Sequence, residues 1–149
     1  MKKKFENHTD VTSFITKNYI LPSVCKKTMI LAGSIQSHQL YRGNSYDDMC
    51  IEAIEQLFQQ ITSAPFDLII WRAGDMRCKN RPFVSATFLK EVAEYYSGNK
   101  PRNVHKIILK KGSKTFPLLL LGKEFGEREA ETIIETSHLK RRIGYYIYE

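Results

Sequence analysis

The chain has 149 residues, 42% of them hydrophobic and 26% charged, with a formal charge of +7. That length suits one domain with a core of ordinary size, and the composition excludes global disorder. No apolar run approaches a membrane span, and three widely spaced cysteines (Cys25, Cys50, Cys78) without a CxxC pair exclude a disulfide framework and a zinc site.

The opening Met1-Lys2-Lys3-Lys4 is basic but has no apolar stretch behind it. A signal peptide is therefore not expected, and the expected setting is cytoplasmic, in the protein's own cell or a host cell. The positive charge favours nucleotides, nucleic acid or acidic protein surfaces as partners. Because the basic residues are scattered and carry no nucleic-acid motif, nucleic acid is possible but not favoured, and no membrane partner is expected.

In chain order, Thr9 or Asp10 can cap a helix whose apolar positions Val11, Phe14, Ile15 and Tyr19 follow helical spacing. A second helical stretch spans 23–39, weakened by Gly33. Residues 41–45 read as a loop, after which Asn44 or Ser45 caps a helix with Asp47 and Asp48 in its first turn and an apolar stripe through Ile51, Ile54, Leu57, Phe58 and Ile61. Ser63-Ala64-Pro65 ends it.

The stretch Phe66-Asp67-Leu68-Ile69-Ile70-Trp71-Arg72-Ala73-Gly74 then reads as a short buried strand. An arginine at the end of such a strand needs an anionic partner, and the glycine after it can take a tight turn. A structural ion pair is the plain alternative to a ligand.

Residues 81–87 form a short extended piece, and 88–96 a helix ended by Ser97-Gly98. The next strand is expected over 104–110. Lys111-Gly112-Ser113 is expected to make a hairpin turn, with a second strand over 115–121 in which Pro117 marks an edge or bend. A polar loop, 122–128, precedes Glu129-Ala130-Glu131-Thr132-Ile133-Ile134, and the end of the chain, 142–148, is strongly β-prone. Helices first and strands afterwards predict an α+β fold with a mostly antiparallel core.

Alternation along a strand would put Glu129 and Glu131 on one face, where two carboxylates repel unless they share a cation or ligand. A solvated edge strand is the plain alternative. The four histidines form no metal spacing, and Cys78 has no histidine–acid arrangement beside it in sequence.

Three segments in this order, Trp71-Arg72-Ala73-Gly74, Phe83-Val84-Ser85-Ala86-Thr87 and Glu129-Ala130-Glu131 before an aliphatic strand, resemble the ADP-ribosyltransferases of the arginine–serine–glutamate class. That class includes the clostridial binary toxins and the vertebrate ecto-enzymes. Tyr41 to Tyr46 and the helix after them resemble the tyrosine-rich entry of the family, so the resemblance covers roughly residues 41–148. It implies a single ADP-ribosyltransferase-like domain over 1–149, with N-terminal helices packed on a mostly antiparallel β-sandwich core.

The resemblance further implies NAD as substrate and mono-ADP-ribosylation of a target protein through oxocarbenium-like cleavage of the nicotinamide–ribose bond. Arg72 would bind the phosphate side of NAD through its planar fork of donors, with Gly74 beside it. Ser85 would hydrogen-bond Glu131 and the ribose, and Thr87 keeps a hydroxyl at the third motif position. Glu131 would stabilise the transition-state charge, and Glu129 would orient or deprotonate the acceptor. Glutamate two places before the catalytic one accompanies arginine modification in the family, which implies an arginine acceptor.

Tyr96 and Arg102 stand where the family's nicotinamide-covering aromatic and phosphate-contacting arginine fall, and Phe125 where its target-recognising turn lies. The pattern also departs from the family. Ala86 replaces the usual middle threonine, Glu127-Arg128-Glu129 offers a second Glu-x-Glu register, and Arg42 in Tyr41-Arg42-Gly43 is a rival for the arginine role. An NAD glycohydrolase, or an inactive binding module on the same fold, are the alternatives.

Overall fold

The computed structural model describes residues 2–19, 58–59, 61, 63–74, 76, 83–98, 100, 103–121 and 130–149. The stretches expected at 23–39 and 41–45, most of the helix leading to Ile61, the loop at 122–128 and all three cysteines lie outside the described residues. So do Arg42, Arg102, Phe125 and Glu129.

Strand β1 (Lys2–Lys3) lies parallel to β2 (Asp67–Ala73), and between them in sequence comes helix α1 (His8–Asn18). The cap of α1 is Asn7, not Thr9 or Asp10: its Oδ1 accepts the Asp10 N–H at 2.9 Å. All three side chains can cap a helix. Phe5 decides between them, because it is buried against Phe14 (centroids 5.0 Å apart) and Phe88 (5.7 Å) and so fixes where the chain turns.

The remaining elements are β3 (Phe83–Thr87), α2 (Lys90–Tyr96), β4 (Val104–Leu109), β5 (Phe116–Pro117), β6 (Glu131–Glu135), β7 (Leu139–Arg142) and β8 (Tyr145–Tyr148). The described strands form one hydrogen-bonded path, β5-β6-β3-β2-β4-β8-β7, with β1 beside β2. Most pairings are antiparallel; β1–β2 and β4–β8 are parallel. This is the α+β, mostly antiparallel arrangement that the sequence predicts.

Strand β2 is buried on both faces. Leu68 and Ile70 join the main core, while Ile69 and Trp71 pack on the other side with Ala93 of α2. That is why the stretch reads as a continuous apolar run and not as an alternating one. At its start, Asp67 accepts from Lys110 Nζ and from the Lys111 N–H, each at 2.8 Å. The bond from Lys110, then that from the Lys111 N–H, hold its carboxyl below the usual carboxylate range.

The hairpin expected around Lys111-Gly112-Ser113 does not form. Strand β5 pairs with β6, and most of the expected second strand is a 3-10 turn, Leu118–Leu121. Two facts account for this. Both edges of β4 are occupied, by β2 and β8. The turn itself is tied to the approach to β2, with Ala64 N–H donating to Ser113 O and Gly112 N–H to Ala64 O, each 2.9 Å. The β-prone end is a hairpin, β7–β8, turning at Ile143-Gly144, where Gly144 takes φ +84°.

Candidate active site

Strand β3 is buried except at Ser85, which is half-buried. Its register with β6 pairs Thr87 with Glu131 and Ser85 with Ile133. Directly paired residues and their i+2 neighbours share a face, so Ser85, Thr87 and Glu131 project to the same side. Ser85 and Glu131 are diagonal neighbours across the two strands, a spacing of roughly 7–8 Å between α-carbons that a glutamate can bridge. Glu131 is half-buried and opens β6.

The residue before it, Ala130, takes φ +47°, and its carbonyl accepts the Phe88 N–H at 3.0 Å. Extended alternation therefore starts at Glu131. The expectation that Glu129 and Glu131 share a strand face rests on Glu129, which lies outside the described residues.

Arg72 stands one residue before the end of β2, which adjoins β3 through the pair Trp71–Thr87. Its Nη1 donates to the main-chain carbonyl of Ser85 at 2.8 Å. One edge of the guanidinium is thus tied to the strand that carries the candidate serine. Gly74 ends β2 at φ +99° and donates its N–H to Asn103 O at 2.9 Å. Any side chain there would be strained, so the glycine has a backbone reason.

The other candidates separate. Thr87 is buried, and its Oγ1 accepts the Leu89 N–H at 3.1 Å, fastening the turn into α2. Tyr96 is 57% exposed at the end of α2, edge-on to Tyr95. Ala86 lies in the main core opposite Thr132 of β6, on the reverse face from Ser85. A threonine at that position would therefore face the core and not the Ser85–Glu131 side.

His105 was not a candidate from sequence, yet β4 places it directly opposite Arg72. No local signal marks it, since the neighbour relation arises only from strand pairing. Trp71, on the opposite face of β2 from Arg72, lies under two cations, Lys90 Nζ at 5.2 Å and Lys4 Nζ at 6.0 Å from the ring centroid. Among the described residues no group of three acidic, histidine or cysteine side chains could hold a metal.

Chemically, the arrangement offers a hydroxyl and a carboxylate on one face of the sheet. With them comes a planar cation that starts from the reverse face of β2, since Trp71 is the residue paired with Thr87, and that is tied to the Ser85 main chain. That set suits a ligand bearing both hydroxyl and phosphate groups.

No protein-family model and no curated protein matches the sequence. Solved structures do match in fold. An ADP-ribosyltransferase from Clostridium botulinum superposes with a TM-score of 0.56 at 11% identity, over 99% of this chain and 96% of that one. The C3 exoenzyme of Clostridium limosum gives a TM-score of 0.56 at 12% identity, over 99% and 95%. The chain has an ADP-ribosyltransferase-like α+β fold.

Proposed function

We propose that this protein is an NAD-dependent mono-ADP-ribosyltransferase that modifies a protein side chain. The observation that carries this is the strand register that sets Ser85 and Glu131 on one face, with Arg72 hydrogen-bonded to the backbone of Ser85, in a fold shared with ADP-ribosyltransferases.

In this reading NAD supplies the nicotinamide–ribose bond that breaks. Arg72 has one edge fixed by Ser85 O, so its planar fork is preorganised to receive phosphate oxygens. Ser85 holds a ribose hydroxyl and steadies Glu131, whose carboxylate stabilises positive charge developing on the sugar. Glu129 selects the acceptor, and arginine is the acceptor that the Glu129–Glu131 pair implies. Arg102, Tyr96 and Phe125 would complete the phosphate, nicotinamide and target contacts.

The test is incubation of the purified chain with labelled NAD, with and without a cell lysate, beside Glu131→Gln. Label on a lysate protein that disappears in the variant, and is released by hydroxylamine, is the expected result. Nicotinamide release without label on protein would make the chain an NAD glycohydrolase instead. No consumption of NAD by folded protein in the presence of lysate would overturn the enzymatic reading.

A further inference from the structure

The β7–β8 hairpin and the first half of β4 enclose a cleft of about 780 Å³. Its walls include His105, Lys106, Arg141, Arg142, Tyr145 and Tyr146, and none of the described residues lining it is acidic. Sequence separates His105-Lys106 from Arg141-Arg142 by more than thirty positions; the parallel pairing of β4 with β8 brings them together. Cations concentrated without a counter-charge cost self-repulsion in the free protein, which a polyanion relieves.

The aromatic residues narrow the choice of anion. The hairpin register sets Arg141 opposite Tyr146 and Arg142 opposite Tyr145, so each face of the ribbon carries one arginine beside one tyrosine. Tyr145 and Tyr146 are both half-exposed, and the turn between the arginines and tyrosines places Ile143 almost wholly in solvent. A smaller cavity of about 440 Å³ shares Val104, Lys106 and Gly144 with the cleft. This second cavity adds Trp71 and Lys90, along with one acid, Glu94.

A track of cations interleaved with flat rings is what a single-stranded nucleic acid needs, because its phosphates pair with the cations and its unpaired bases stack on the rings. A duplex keeps its bases stacked internally, and an acidic protein surface offers carboxylates without rings to stack. We propose that this cleft binds single-stranded nucleic acid. Its nearer wall, on β4, lies two strand positions from β3, roughly 10 Å at the usual strand spacing, and the smaller cavity beside it reaches Trp71, the partner of Thr87. The proposal does not depend on the transferase reading.

The experiment is fluorescence anisotropy of a labelled mixed-sequence single strand of roughly 12 nucleotides, titrated with the full chain over a range of salt concentrations. The wild type should bind with affinity that falls steeply as salt rises. Replacing both Arg141 and Arg142 by serine removes two phosphate contacts. It should reduce affinity on the order of tenfold at low salt and flatten the log–log salt slope by about 1.4. Tyr145→Leu should cost about fivefold or more while leaving that slope unchanged, since stacking releases no counterions.

Both arginines are exposed, so the double variant should melt as the wild type does. If it melts early, Lys106→Gln on β4 gives the same readout from the other wall. Absence of wild-type binding at low salt, or equal binding by the folded variants, would overturn the proposal. Displacement of the strand by polyglutamate as readily as by unlabelled strand would also overturn it, assigning the cleft to acidic protein surfaces.

Discussion

Ser85 and Glu131 lie on one face of adjacent antiparallel strands, two residues out of direct register, with Thr87 as the residue that pairs with Glu131. The carboxylate is held by its strand, and the hydroxyl beside it comes from a strand otherwise buried. Preorganisation of this kind matters when charge develops at a reacting centre, because no reorganisation is needed at that moment. Glu131→Gln keeps the shape and removes the charge. Its kcat for NAD cleavage should fall on the order of 10²–10³-fold with NAD affinity nearly unchanged. Rapid-quench assay of nicotinamide release beside calorimetric NAD binding separates the two, and a variant as fast as wild type would remove Glu131 from the catalytic role.

Arg72 is a different kind of test. The bond from its Nη1 to Ser85 O fixes one side of a planar fork whose geometry suits phosphate oxygens. Lysine has a compact charge and cannot reproduce that geometry. Arg72→Lys should weaken NAD binding about tenfold and also lower stability by roughly 1–3 kcal/mol, the range for a hydrogen bond from a charged group. Unchanged affinity together with lowered stability would mean that the arginine is purely structural.

A buried hydroxyl gives a prediction independent of function. Thr132 is fully buried opposite Ala86, and its Oγ1 has no hydrogen-bond partner among the described residues. Burial of an unpaired hydroxyl is costly, whereas an apolar group of the same shape is tolerated. Thr132→Val should stabilise the protein by about 1 kcal/mol and raise Tm by about 3 °C. A lowered Tm in a calorimetric scan would show that the hydroxyl contributes to stability.

Alkaline pH should unfold the protein through its buried tyrosines. Burial pushes the Tyr19 phenol up to about 12, and burial likewise raises Tyr148. Tyr148 Oη accepts from the Glu135 N–H at 3.2 Å and donates to Lys114 O at 2.7 Å. The unfolded chain loses its phenolic protons near pH 10 while the folded one keeps them. Stability is therefore full below about pH 10 and is lost as pH rises. The share due to Tyr19 amounts to about 2 kcal/mol by pH 12. Urea unfolding across this range should show the fall, and Tyr19→Phe should make it shallower; identical pH profiles would refute the assignment.

The elements nearest the candidate site were legible because their signals are local. Strand β2 is a continuous apolar run since both its faces are covered, and β3 and β6 are short β-prone segments that carry Ser85 and Glu131. Helix α1 was legible from its apolar spacing, although the cap moved to Asn7 because Phe5 sets the entry of the chain.

What the sequence by itself determined is α1, β2 and the strand character of β3, β4 and β6, while Arg72, Ser85 and Glu131 stood out through the order of their motifs. Only the tertiary structure decided who stands beside whom. It sent β5 to β6 because β4 has no free edge, and began the alternation of β6 at Glu131 because Ala130 is left-handed. It also placed His105 opposite Arg72 and gathered His105, Lys106, Arg141 and Arg142 into one cleft. Helical and strand periodicity are properties of neighbours along the chain, whereas strand pairing joins residues tens of positions apart. Which edges remain open to pair depends on the whole packed sheet.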